Sequence, residues 1–206
     1  MIQRSFSRRN NDPGRRRGLP AALAAVVACF LAFATIAQER VDHAGYFVVR
    51  SASTSLQDGV RMLDARLQLV LSTEALDALN AGVPITIELQ TQLIRSRRFL
   101  PDAQDAELAT RFELEYRPLS QRYIVRNLNS GDQDSFATLY SALNNLGRIN
   151  ALPIIDDGLL RPGKDYRMRV RVMLQTQQYP APLRLVFFWR SQWQLQSEWF
   201  EWTLKR

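Results

Sequence analysis

Residues 121–147 read QRYIVRNLNSGDQDSFATLYSALNNLG, and the way this stretch folds decides the rest. Tyr123, Val125 and Asn127 alternate with Arg122, Ile124 and Arg126, a period of two that belongs to a pleated strand. Asn129-Ser130-Gly131-Asp132 follows with strong turn chemistry, because Asn and Gly accept positive φ and Ser or Asp can bond back to the backbone. The chain therefore returns as a hairpin through Gln133 to Phe136. Thr138 is then placed to cap a helix whose Leu139, Ala142, Leu143 and Leu146 form one apolar stripe, and Gly147 ends it. Strand, turn, strand and short capped helix make an antiparallel reversal, not the strand–helix–strand rhythm of a parallel sheet.

The segments upstream carry the same period. Gly45 to Ala52 is short, aromatic and β-branched, and Asp58-Gly59 turns the chain into Val60 to Leu71, where Leu63, Ala65, Leu67, Leu69 and Leu71 alternate with Asp64, Arg66, Gln68 and Val70. Ser72 opens a short helix that Gly82 terminates ahead of Pro84. A long strand from Val83 to Arg98 sets Val83, Ile85, Ile87, Leu89 and Leu93 inward and Glu88, Gln90 and Gln92 toward water. After the acidic loop Pro101 to Glu107, the strand Leu108 to Pro118 turns Phe112, Leu114 and Tyr116 inward and Arg111, Glu113, Glu115 and Arg117 outward.

Downstream, Asn150 to Asp157 is apolar and ends in two carboxylates. Tyr166 to Gln175 then alternates Tyr166, Met168, Val170, Val172 and Leu174 against Arg167, Arg169 and Arg171. Those three arginines form either a basic stripe or one side of a cross-strand ladder with Arg111 or Glu113. All four tryptophans fall in the last 18 residues. In an unbroken strand Trp193, Leu195 and Trp199 share one face and Phe200 and Trp202 the other. Either one aromatic face is exposed or the strand is covered on both sides. The pattern predicts an antiparallel β-sandwich of roughly seven or eight strands, immunoglobulin-like in architecture, with two short helices.

The 206-residue chain has a net charge of +7, but the first 37 residues carry much of it. Six arginines precede the apolar run Leu19 to Ala37, which reads as a secretion signal cut after Ala37, or as an uncleaved anchor just long enough to span ~30 Å of hydrocarbon. Val26-Val27-Ala28-Cys29 is a partial lipobox and Ser7-Arg8-Arg9 a partial twin-arginine motif. Without the leader 21 Lys+Arg face 19 Asp+Glu, a net +2, so residues 38–206 form a single near-neutral domain with no reason to bind nucleic acid. Its location is expected to be periplasmic or exported, or anchored to the inner membrane by residues 19–37, with membrane contact through that apolar segment.

The single Cys lies in the leader and the single histidine, His43, beside the proposed cleavage site. A catalytic triad, a histidine-based zinc site or a cysteine nucleophile is therefore not available to the domain, and neither a metal nor a cofactor is expected. Glu113 and Glu115 point the same way on one strand, as a solvated face or as an acid and a base. Asp156, Asp157 and Asp165 lack calcium-loop spacing and read as a loop start. Arg95, Arg97 and Arg98 close a strand, as a solvated end or as an anion site.

The run RYIVRNLNSGDQDSFATLYSALNNLGRI, the preceding LEYRPLSQ, the later Leu152-Pro153-Ile154-Ile155-Asp156 and the Trp-rich end resemble the proteobacterial family catalogued as domain of unknown function 4390. The resemblance implies an exported or membrane-tethered envelope protein and points toward an envelope-signalling partner linked to a membrane sensor system.

The expected function is thus a non-enzymatic, periplasmic protein-interaction module whose partner is an envelope or membrane protein. Arg122, Tyr123, Arg126, Asn127, Asn129 and Asp132 of the central hairpin, with Trp199 and Trp202, are the candidate partner-binding residues. The alternative is a cell-wall glycan binder or carboxylate-based hydrolase, with Glu113, Glu115, Asp156 or Asp157 as acids and tryptophans as sugar platforms.

Overall fold

The computed structural model describes residues 42–175 and 194–204. By its contacts the chain divides into residues 1–41 and 42–206. The leader, with its proposed cut, anchor and Cys29, lies outside the described residues, as do Leu183 to Trp189 and Trp193.

The alternation read from the sequence builds two antiparallel sheets. In chain order the elements are β1 (Tyr46–Gln57), β2 (Val60–Val70), α1 (Thr73–Asn80), β3 (Ile85–Arg95), β4 (Ala103–Arg117), β5 (Arg122–Asn127), β6 (Gln133–Phe136), α2 (Leu139–Leu146), β7 (Arg148–Asp156), a 3-10 turn (Asp157–Leu159), β8 (Tyr166–Gln175) and β9 (Phe200–Thr203). One sheet has three strands in the order β1-β2-β7, and the other has six in the order β6-β5-β4-β3-β8-β9. The nine strands among the described residues exceed the expected seven or eight, and the sandwich architecture is the expected one.

The interior is made by the residues whose period predicts it. Leu63, Ala65 and Leu69 of β2 meet Ile85, Ile87 and Leu89 of β3 and Val170, Val172 and Leu174 of β8 in one buried cluster. Each of the Val, Leu and Ile side chains contributes ~1.5–3 kcal/mol by leaving water, and Ala65 less. The helices close the gaps between the sheets. Ser72 is buried and its hydroxyl accepts the Ala75 N–H at 3.3 Å, and Ala75 and Leu79 of α1 enter the core. Thr138 caps α2 by accepting the Ser141 N–H at 3.2 Å, and Ala142 and Leu146 are its buried residues. Gly147 follows for a steric reason. Its carbonyl accepts the Leu67 N–H at 2.8 Å, and a Cβ there would stand 2.5 Å from the Leu67 oxygen.

β4 starts at Ala103, inside the stretch read as an acidic loop, β1 runs on to Gln57, and two further features depart from the sequence reading. The first is that β3 is buried on both faces, Thr86, Glu88 and Gln92 included. The second is in the tail. Leu174 N–H donates to the Leu195 carbonyl and Ser197 N–H to that of Val172, both at 2.8 Å, and Met173 bridges Gln196. Further along, Val170 pairs with Phe200, so the register has slipped by one residue. Glu198 and Trp199 therefore stand together against Arg171 as a β-bulge. The slip resolves the two-face problem, because Leu195, Phe200 and Trp202 all pack into the core cluster, and of the described tryptophans only Trp199 turns outward.

The ends of the sandwich differ. Thr73 of α1 is bonded to His43, so the start of the domain and α1 share one end. At the other end Arg95 pairs with Tyr166, which places the loop 96–102 beside the loop 157–165.

Candidate functional site

The outward face of the six-stranded sheet is assembled by register. β3 lies between β4 and β8, with Glu88 opposite Arg111, Gln90 opposite Arg171 and Gln92 opposite Arg169. Arg111 donates Nε–H to Glu88 at 2.8 Å, and Gln90 donates its amide to the other Glu88 oxygen at 2.7 Å. The Gln90 oxygen in turn accepts Arg171 Nε–H at 2.8 Å, and the Gln92 oxygen accepts Arg169 Nε–H at 2.7 Å. Arg169 and Arg167 both reach Glu201 of β9, at 3.8 and 3.4 Å, and Arg167 also pairs with Asp102. The long arginine stems cover β3, which is why its polar face is dry.

Trp199 is set into this ladder. The guanidinium carbons of Arg169 and Arg171 lie 4.5 and 4.4 Å from the centroid of its ring. Cation–π contacts of this kind contribute ~0.5–2 kcal/mol each, rising with desolvation. The indole is thus held rigidly on the outer face and remains partly exposed. The arginine stripe of β8 is a cross-strand ladder as expected, but its partners are the glutamines of β3 and Glu201 of β9. Arg111 belongs to the same ladder through Glu88, and Glu113 pairs with Arg126 at 3.5 Å.

The hairpin residues separate into two groups. Arg126 and Arg122 stand on the outer face. Arg122 clamps β6 by donating to the hydroxyl and the carbonyl of Ser135, both at 2.8 Å. The turn residues instead spend their polar groups locally. Asn127 Oδ1 accepts the N–H groups of Asn129 and Ser130 at 2.9 and 3.2 Å, and Asp132 accepts the Ser130 hydroxyl at 2.7 Å. Asn129 fastens the turn to β4, accepting the Arg111 N–H at 2.8 Å and donating to the Ala109 carbonyl at 3.2 Å. Tyr123 faces inward, its ring 4.8 Å from that of Tyr116. Trp202 also faces inward, its indole N–H donating to the Thr54 hydroxyl at 3.3 Å.

Glu88, Gln90 and Gln92 are the members of this surface that the sequence reading left in water. A polar strand flanked by two arginine-bearing strands was the available signal, and only the register completes it.

The acids considered for hydrolysis are each engaged elsewhere. Glu115 meets Arg117 at 3.3 Å, Asp157 meets Arg61 at 2.6 Å, and Asp156 accepts the Gly158 N–H at 2.7 Å. Among the described residues no cluster of three or more His, Cys, Asp or Glu side chains could hold a metal ion, and no helix is long and apolar enough to cross a membrane.

Fold and surface together define an antiparallel β-sandwich domain with an arginine-laced, cross-braced outer face. The chain belongs to the family described as Domain of unknown function (DUF4390), whose profile matches residues 44–203. No curated protein and no solved structure matches the chain.

Proposed function

We propose that this protein is a non-enzymatic interaction module of the cell envelope, exported or held there by its N-terminal segment, and that it engages a membrane protein of a sensor system through the outer face of the six-stranded sheet. One observation carries the reading. Arg122, Arg126 and Trp199, from distant parts of the chain, stand on the same face. From β5 to β9 there are four strand intervals, or ~19 Å at ~4.8 Å each. A standard interface buries ~800 Å² per partner and covers that span. Arg and Trp are also the side chains that most often dominate binding energy. The braces fix the surface before a partner arrives, so little side-chain freedom is lost on binding.

The other reading, a cell-wall glycan binder or carboxylate hydrolase, would use Trp199 as a sugar platform. The engagement of Glu113, Glu115, Asp156 and Asp157 with neighbours supports the binding module over the hydrolase.

The test is site-specific photocrosslinking in living cells from Gln133 and Glu107 on the outer face, with Ser51 on the three-stranded sheet as control. A discrete membrane-protein adduct from the first two and not from Ser51 is expected. Replacing Arg122, Arg126 and Trp199 together by Ala should lower its yield more than about tenfold. Retention on peptidoglycan without a protein adduct would overturn the proposal in favour of glycan binding.

A further inference from the structure

The end of the sandwich away from α1 carries an unusual set of side chains. Phe99 is 92% exposed and Leu100 64% exposed at the tip of the β3–β4 loop, and Leu159, on the neighbouring loop, is 73% exposed. Leu56 joins them, because its hairpin meets the same loop where Gly59 accepts the Asp157 N–H at 2.8 Å. Four of the eight exposed large hydrophobic residues among the described residues thus gather at one end.

Cations surround them. Arg97 and Arg98 precede Phe99, and the Ser96 N–H bonds to the Asp165 carbonyl at 3.0 Å, which brings Lys164 to the other wall. A depression of about 610 Å³ between the two loops is lined by Arg95, Arg97, Arg98, Phe99, Lys164 and Asp165. The acids nearby are largely taken. Asp105 holds Arg95 at 2.8 Å, and Asp102 pairs with Arg167 while accepting the Arg97 N–H at 3.2 Å. Against Arg97, Arg98 and Lys164 only Asp165 remains on the lining, a local excess of positive charge.

We propose that this end is a docking surface for an anionic phospholipid bilayer, in which Phe99 and Leu100 enter the acyl boundary while Arg97, Arg98 and Lys164 meet headgroup phosphates. The pattern fits a membrane because the apolar residues project at a tip and the cations stand behind them, at the depth where phosphates lie. It concerns a different surface from the sheet face and goes beyond the function proposed above.

Insertion of the apolar run Leu19 to Ala37 would itself hold the protein on vesicles, and the domain starts at the α1 end, where His43 is bonded to Thr73, so the test uses the chain cut after Ala37 and reads the loop locally. In residues 38–206, which hold the whole buried core and no cysteine, a spin label is attached at Leu100→Cys or, as control at the opposite end, at Leu119→Cys. Each is reconstituted in vesicles of equal parts phosphatidylglycerol and phosphatidylcholine, and in phosphatidylcholine alone. The expected result is a label at 100 shielded from a water-soluble nickel chelate and reached by oxygen in the anionic vesicles only, with 119 water-exposed in both.

Changing Arg97, Arg98 and Lys164 to Gln, with an unchanged circular dichroism spectrum, should weaken the shielded population about fivefold per cation. A label at 100 as water-exposed in anionic vesicles as in detergent-free buffer overturns the proposal. So does equal shielding in both vesicle types.

Discussion

Consider removing Arg111. Glu88 is 2% exposed, and its two oxygens are satisfied by Arg111 at 2.8 Å and Gln90 at 2.7 Å. The Arg111 side chain is 48% exposed, so the pair lies between a surface ion pair, ~0.2–1 kcal/mol, and a fully enclosed one, whose breaking costs ~3–5 kcal/mol. Arg111→Ala leaves the carboxylate in place with one neutral donor, and an intermediate cost of ~2 kcal/mol follows. In a domain of this size that lowers the melting temperature by ~4–8 °C. Glu88→Gln keeps the shape and removes the charge, and combining both changes should recover ~1–2 kcal/mol relative to the sum of the single variants. Guanidinium unfolding followed by tryptophan fluorescence measures all four proteins. An Arg111→Ala protein within ~0.5 kcal/mol of the parent, or strictly additive costs, would refute the claim that this ladder braces β3.

Three further outcomes are expected. Trp202→Ala should destabilise by ~2–3 kcal/mol through its core contacts, while Trp199→Ala costs less than ~1 kcal/mol and acts on partner capture; thermal melts separate the two. Gly147→Ala forces a Cβ against the Leu67 oxygen and should cost ~1–3 kcal/mol, with the amides of α2 losing hydrogen-exchange protection first. Ser72→Ala removes the cap of α1 and should cost ~1 kcal/mol in denaturant titration.

The sequence showed most of the sandwich wherever one face is dry and the other wet. β2 and β8 alternate cleanly, and Ser72, Thr138 and Gly147 mark the helix ends where the structure has them. It hid what depends on register. Glu88, Gln90 and Gln92 look solvated in isolation; Glu88 and Gln92 become buried and Gln90 half-buried only because Arg111, Arg169 and Arg171 arrive opposite them from strands far away in sequence. β1 runs on to Gln57 through polar residues because its partner β2 continues, and no apolar signal announces that. In the candidate site, Arg122 and Arg126 were legible as sharing one face of their strand. Asn127, Asn129 and Asp132 stood out for their turn chemistry, and in the structure the turn is where their hydrogen bonds go. Trp202 could not be told from Trp199 by period alone, since one slipped residue changes which of them faces the interior.

That slip has an evolutionary meaning. With Glu198 and Trp199 sharing a single place opposite Arg171, position 199 is released from the alternation that constrains its neighbours. Its identity can drift or be selected while Leu195, Phe200 and Trp202 keep the interior filled. Loss of one residue between Ser197 and Phe200 would end that freedom, because the tail could then keep either its anchoring side chains or its displayed one.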